Sequence, residues 1–208
     1  MVRGLEAGRK AALIINECQI GLLNPKHASF PALAAQAVAR DIVPKIERLA
    51  KAFRARGLPV VYTPVVHRPD FADMMPNSLI SSLGLKGRHM AAGSLEAGHM
   101  PGLEPQPQDF VIDRTSGLIA FNGTNLDALL RRLSVQTVVL CGVSSNVAMP
   151  GNTMTAVDLG YQVVLPEDCI AGSDPETHAI IFREQLRMLA TITTGDEVVA
   201  ALAESAAA

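Results

Sequence analysis

Short, continuous apolar runs separated by helix-length stretches recur along this chain, and that alternation limits its fold more than any other feature. Ala11-Ala12-Leu13-Ile14-Ile15, Val60-Val61-Tyr62-Thr63 and Phe110-Val111-Ile112-Asp113 are the first three runs. Thr137 to Gly142, Gln162-Val163-Val164-Leu165 and Thr191-Ile192-Thr193 complete the set. Most are apolar at successive positions, the pattern of a strand buried on both faces. Such strands belong in a parallel sheet covered by helices on each side. With right-handed crossovers the expectation is an α/β fold. Its form is a three-layer αβα sandwich with a six-stranded parallel sheet, Rossmann-like, in one domain over residues 1–208.

The helices are read from caps and breakers. An Ala-, Arg- and Lys-rich region from Pro31 to Arg56 is kinked or divided by Pro44 and closed by Gly57 as a C-terminal cap. Thr124 and Asp127 open a short helix through Leu133, and another runs from Asn146 to Gly160. Ser173, Pro175 and Glu176 start a helix that carries Ile180, Ile181, Leu186 and Leu189 toward the core. Thr194 and Glu197 cap a last helix that fades into the Ala-rich tail. Residues 64–108 read as one long irregular segment, and Met74, Met75, Met90 and Met100 suit it to a pocket cover or subunit contact.

Composition excludes several classes of function. A net charge of -2 gives no reason to expect nucleic acid or an anionic membrane as partner. No apolar run approaches a bilayer-spanning length, and the stretch after Arg9 and Lys10 is too short for a signal-peptide core. Three cysteines without paired spacing fit a reducing compartment, so a cytoplasmic location is expected. The turn after Gly142 lacks a dinucleotide fingerprint and no phosphate-binding loop is present, so no cofactor is expected.

In sheets of this kind the ligand crevice lies beyond the carboxyl ends of the strands, where the winding reverses. The residues that follow the strands are Glu17, Thr63 to His67, Arg114, and the turn Gly142 to Ala148. Together with Leu13 to Gln19, Gly57 to Thr63, Phe121 to Leu126, Gly142 to Met149 and Ala156 to Tyr161, they carry a resemblance. The chain resembles the isochorismatase-like superfamily of cysteine hydrolases over nearly its whole length. The resemblance implies a small-molecule substrate and assembly as a homodimer or homotetramer. It also implies a catalytic aspartate after the first strand, a lysine after the third, and a cysteine opening the helix after the fourth.

This chain departs at all three positions. Glu17 stands for the aspartate and keeps a carboxylate at the mouth of an apolar strand. Cys18 beside it is turned to the opposite sheet face by strand alternation and reads as a small buried thiol. Either Arg114 or Thr115 falls at the lysine position, depending on a one-residue insertion. Arginine can orient a carboxylate but cannot shuttle protons, and pairing with Glu17 would oppose use of that carboxylate as a general acid. Ala148 replaces the nucleophile. Ser144 and Ser145 do not form a nucleophile elbow and read as turn-stabilising hydroxyls, while backbone N–H groups at this helix start would make an anion or oxyanion site. By resemblance the Val143–Ser144 peptide is cis. Val143, Ser144, Ser145, Ala148 and His67 are therefore candidate substrate contacts, with Glu17 and Arg114 as candidate catalytic groups.

No metal is expected. Nicotinamidases of the superfamily bind one through an Asp-x-His pair, which here reads Val65-Val66-His67. Asp70, Asp73, His89 and His99 follow at no spacing that matches a metal motif. Two functions remain from these residues. One is hydrolysis without a covalent intermediate, with Glu17 as general acid or base on an enol ether or related activated bond. The other is a binding or structural protein that kept the fold and lost catalysis.

Overall fold

A computed structural model describes residues 2–204. In chain order the first elements are β1 (Ala11–Asn16), α1 (Ile20–Leu23), α2 (Pro31–Ala39), α3 (Ile42–Ala55) and β2 (Val60–Thr63). Next come α4 (Leu79–Gly87), β3 (Phe110–Val111), α5 (Leu126–Arg132) and β4 (Thr137–Val143). The chain continues through α6 (Ala148–Asp158), β5 (Gln162–Pro166), β6 (Ile170–Ala171), α7 (Pro175–Glu184), β7 (Thr191–Thr193) and α8 (Gly195–Glu204). The Ala-rich tail beyond residue 204 lies outside the described residues.

All the strands are parallel, in the order β3-β2-β1-β4-β5-β7, with the short β6 beside β4. The six strands read in the sequence form this path, and β6 is an addition whose two residues were too few to register as a run. Strand alternation sorts the core into two layers. Leu13, Ile15, Val139 and Cys141 face a layer built with Ile46, Leu49 and Phe53 of α3, Ala37 of α2 and Val198 of α8. Ile14, Val138, Leu140 and Leu165 face Leu126 and Leu130 of α5, Met149 of α6 and Phe182 of α7. This is the three-layer sandwich. Each fully buried Leu, Ile or Phe contributes roughly 1.5–3 kcal/mol from apolar burial, so the twin layers dominate stability.

Several local expectations need correction. The helical region 31–56 divides at Arg40-Asp41, where Asp41 takes φ 53°, rather than at Pro44. Pro44 is instead the third residue of α3, in the first turn, where no intrahelical donor is lost. Residues 64–108 contain α4, capped reciprocally by Ser78 and Ser81. Asp174, not Ser173, caps α7 by accepting from Thr177 N–H at 2.7 Å. Ile180 is exposed, and His178 and Phe182 hold the buried face of α7. Helix periodicity at i and i+4 from His178 to Phe182 wins over the hydrophobicity of Ile180.

His178 stacks on Phe182 at a ring distance of 4.6 Å, and neither ring nitrogen has a hydrogen bond. Burial and the nearby Arg40 guanidinium push its pKa down to about 4. Glu167 Oε1 lies 3.4 Å from Nε2, but its side chain is 40% exposed and solvent screens the attraction. The unfolded ring titrates near 6.5, so the unfolded chain takes up the proton first and stability falls as pH drops from about 6.5 to 4. The limit on this loss is about 3 kcal/mol. His178→Phe should flatten the fall of the thermal midpoint across that window relative to wild type. Parallel curves for the two proteins would show that His178 is not its source.

Candidate functional site

Because β1 and β4 are neighbours from which the chain proceeds to opposite edges, the sheet's switch point lies between their carboxyl ends. A polar cluster holds that point together. Asn16, fully buried, donates from Nδ2 to the Val143 carbonyl at 2.6 Å. Its Oδ1 accepts from Thr63 Oγ1 at 3.0 Å and Asn152 Nδ2 at 3.3 Å. Asn152 Oδ1 in turn accepts from Ala120 N–H at 2.7 Å. The ends of β1, β2 and β4, the start of α6 and the loop before α5 are thereby tied by one network, whose members would each be costly to leave unpaired.

Glu17 leaves β1 in the left-handed region, φ 55°, a conformation that a non-glycine residue adopts only when its surroundings hold it there. Its carboxylate pairs with the guanidinium of Arg114, whose side chain is completely buried. Arg114 is fixed from both sides of its own backbone: its N–H donates to Pro64 O at 2.9 Å, and its carbonyl accepts from Val66 N–H at 2.8 Å. The side chain then reaches past the extension of β2 to β1. Thr115 is exposed, and its carbonyl accepts from His67 Nδ1 at 2.9 Å. In the neutral ring that bond leaves Nε2 as the acceptor nitrogen of His67.

Glu17 and His67 both line a cavity of about 510 Å³, within the size range of small-molecule sites. Apolar side chains make most of its wall, among them Leu22, Phe30, Met74, Met90 and Leu118. Asp73 and His89 are its other titratable members. Gln19 anchors the cover: its amide donates to Val65 O at 2.8 Å and Ala97 O at 2.9 Å and accepts from Val65 N–H at 2.7 Å. The cavity wall thus draws heavily on residues 64–108. Asp73, His89 and the apolar wall carried no motif in the sequence; the segment's length and its methionines were the available signals.

The crossover turn contributes differently from expectation. Val143, Ser144, Ser145 and Ala148 are absent from the cavity lining. Val143 and Ser145 are fully buried and Ala148 is 2% exposed. The physical reason is that the turn is bonded back into the sheet: Ser145 N–H donates to Ala171 O at 2.9 Å. Donors for an anion are also fewer than a helix start ordinarily offers. Met149 N–H already bonds Ser144 O at 3.0 Å, and Pro150 has no N–H. The Val143–Ser144 peptide is cis. All three cysteines are buried, outside the cavity lining. Burial pushes the Cys18 and Cys141 thiols far up and Cys169 up to about 12, so none is a ready thiolate. Among the described residues no group of three or more His, Cys, Asp or Glu could hold a metal ion. None of the described helices is long and apolar enough to cross a membrane.

A parallel α/β sheet thus carries a carboxylate–guanidinium pair beyond its strand ends, and the carboxylate of that pair opens on an apolar cavity. The isochorismatase domain matches residues 11–197, and the chain belongs to the isochorismatase family of hydrolases. It is 27% identical over 201 residues to the isochorismatase family protein YecD of Escherichia coli O157:H7, covering 93% of this chain and 97% of that protein. The crystal structure of an isochorismatase family protein from Desulfovibrio vulgaris superposes with a TM-score of 0.80 at 28% identity, covering 97% of this chain and all of the other. N-carbamoylsarcosine amidase from Thermoplasma acidophilum is similar at a TM-score of 0.71 and 26% identity, over 90% of this chain and 97% of that one.

Proposed function

We propose that this protein hydrolyses a small molecule by direct attack of water, with Glu17 as the proton-transferring group and no covalent cysteine intermediate. The observation that carries this reading is the Glu17 carboxylate lining the cavity while held by the buried Arg114. A carboxyl group so placed can give a proton to a bond in the cavity and take one back from water. On an enol ether Glu17 protonates the terminal vinyl carbon, the water oxygen bonds to the cationic carbon so formed and returns its proton to Glu17, and the hemiketal then breaks its C–O bond to give a carbonyl and an alcohol. Arg114 orients the carboxylate and takes no proton itself.

The absence of a thiol from the cavity lining supports the same route. Ala148 opens α6, where the resemblance places a nucleophile, and offers no attacking atom. Amides are poor electrophiles without a nucleophile or metal, so an enol ether or similarly activated bond is the substrate type this site suits. The homodimer or homotetramer implied by the resemblance belongs to the same proposal, supported by the exposed Leu79 and Leu83 on α4. The mass in solution decides that part.

The test is turnover of a panel of enol ethers, esters and small amides by wild type and Glu17→Gln, before and after treatment of the native protein with iodoacetamide. Alkylation is expected to leave hydrolysis essentially unchanged. A substrate adduct on Cys18, Cys141 or Cys169 in the intact-mass spectrum would overturn the cysteine-independent route. Ligand binding with no turnover of any panel member would instead make this a catalytically degenerate binding protein.

A further inference from the structure

The cavity's charge selects its ligand. Glu17 is matched by Arg114, and His89 Nδ1 lies 3.2 Å from Glu96 Oε2. Asp73 is different. Its Oδ2 accepts from the backbone N–H of Arg68 at 2.8 Å, while the Arg68 guanidinium is taken by Asp70. The closest imidazole nitrogen is His67 Nδ1, 3.8 Å from Oδ2 and already hydrogen-bonded to Thr115 O. Asp73 Oδ1 is buried with no hydrogen-bond partner. Among the described residues, neither lysine nor arginine lines the cavity.

A buried carboxylate oxygen without a donor is costly, and a turn of the Asp73 carboxylate toward the cavity would let a ligand N–H relieve it. A second carboxylate brought into the same apolar space meets Asp73 and finds no lysine or arginine on the wall to offset it. We propose that the cavity takes a non-anionic small molecule bearing an N–H donor, cationic or neutral, which docks on Asp73 with its apolar body against Met74, Met90 and Leu118. Dicarboxylates are excluded. Asp73 is then the residue that sets substrate class, a role distinct from proton transfer at Glu17. This inference deepens the hydrolase reading and rests on the cavity being its substrate site.

Four probes with one ring in common separate charge from shape: benzamidine, benzamide, benzoate and isophthalate, titrated calorimetrically into the full-length protein. Benzamidine and benzamide are expected to bind at least tenfold more tightly than benzoate, with isophthalate weakest. In Asp73→Asn, which keeps an acceptor for the Arg68 N–H, benzamidine should lose about tenfold and benzoate should gain. The order of the four probes on wild type needs no variant and stands even if Asp73→Asn folds poorly. Benzoate or isophthalate binding wild type as tightly as benzamidine would overturn the assignment, as would no benzamidine binding or an unchanged order in a folded Asp73→Asn. Failure of the hydrolase reading looks different: wild type would turn over no member of the panel while the Asp73-dependent probe order persisted.

Discussion

Glu17→Gln is expected to lower turnover by about a hundred- to ten-thousand-fold, the usual contribution of a positioned proton-transfer group. Substrate binding should be nearly unchanged, so the loss appears in kcat and not in KM. Gln is the informative replacement because its Oε1 can still accept from Arg114. Glu17→Ala would leave a completely buried guanidinium without its partner. Losing one side of a buried ion pair costs on the order of 3–5 kcal/mol in stability, and unfolding would then be mistaken for lost chemistry. Adding Ala148→Cys to the Glu17→Gln variant should not restore activity, because activation of the new thiol would need the same carboxylate. Equal kcat for wild type and Glu17→Gln on every turned-over member of the panel removes Glu17 from the mechanism.

Gly142→Ala should cost about 3–5 kcal/mol, combining backbone strain of roughly 1–3 kcal/mol with a similar overpacking term. Gly142 lies in register with Asn16 and has φ 105°, which an L side chain rarely adopts. A Cβ there would overlap the Asn16 carbonyl oxygen and stand 3.0 Å from Cys18 Sγ. Neither neighbour can give way cheaply. The Asn16 carbonyl is backbone in the central strand, and Asn16 also carries the network that holds Val143, Thr63 and Asn152. For a chain of this length the thermal midpoint should fall by roughly 10 °C. Activity should fall with it at temperatures where the variant is still folded, since Glu17 follows directly on Asn16. A folded variant within about 1 kcal/mol of wild type in urea unfolding would show that β1 and β4 are not in the close contact described.

The parallel sheet and its helical cover on both faces were the parts of the architecture most nearly legible before any coordinates. A run such as Ala11 to Ile15 is buried at every position, and only a parallel strand covered on both sides satisfies that pattern. Helix boundaries were less legible because they depend on single dihedral angles. The left-handed Asp41 splits α2 from α3 while Pro44, the obvious breaker, sits harmlessly in a first turn. The Glu17–Arg114 pair was half legible. Each residue was marked by its place after a strand, but whether Arg114 or Thr115 turned inward hung on one residue of register. The bridge of Arg114 to Val65 settles which side chain is buried.

The sequence by itself determined the sheet, its helical covers and the absence of a thiol at the start of α6, because these follow from local periodicity and residue identity. Only the tertiary structure decided what the carboxylate of Glu17 faces. The cavity is closed by residues 64–108, whose positions depend on long-range bonds such as Gln19 to Val65 and Ala97. Asp73 shows the difference most plainly. In the sequence it is one acidic residue in a loop, whereas in the fold its Oδ1 is buried without a partner and the residue lines the cavity. Periodicity records which side of an element is apolar. It does not record which distant groups meet, and a site's charge balance is a sum over such meetings.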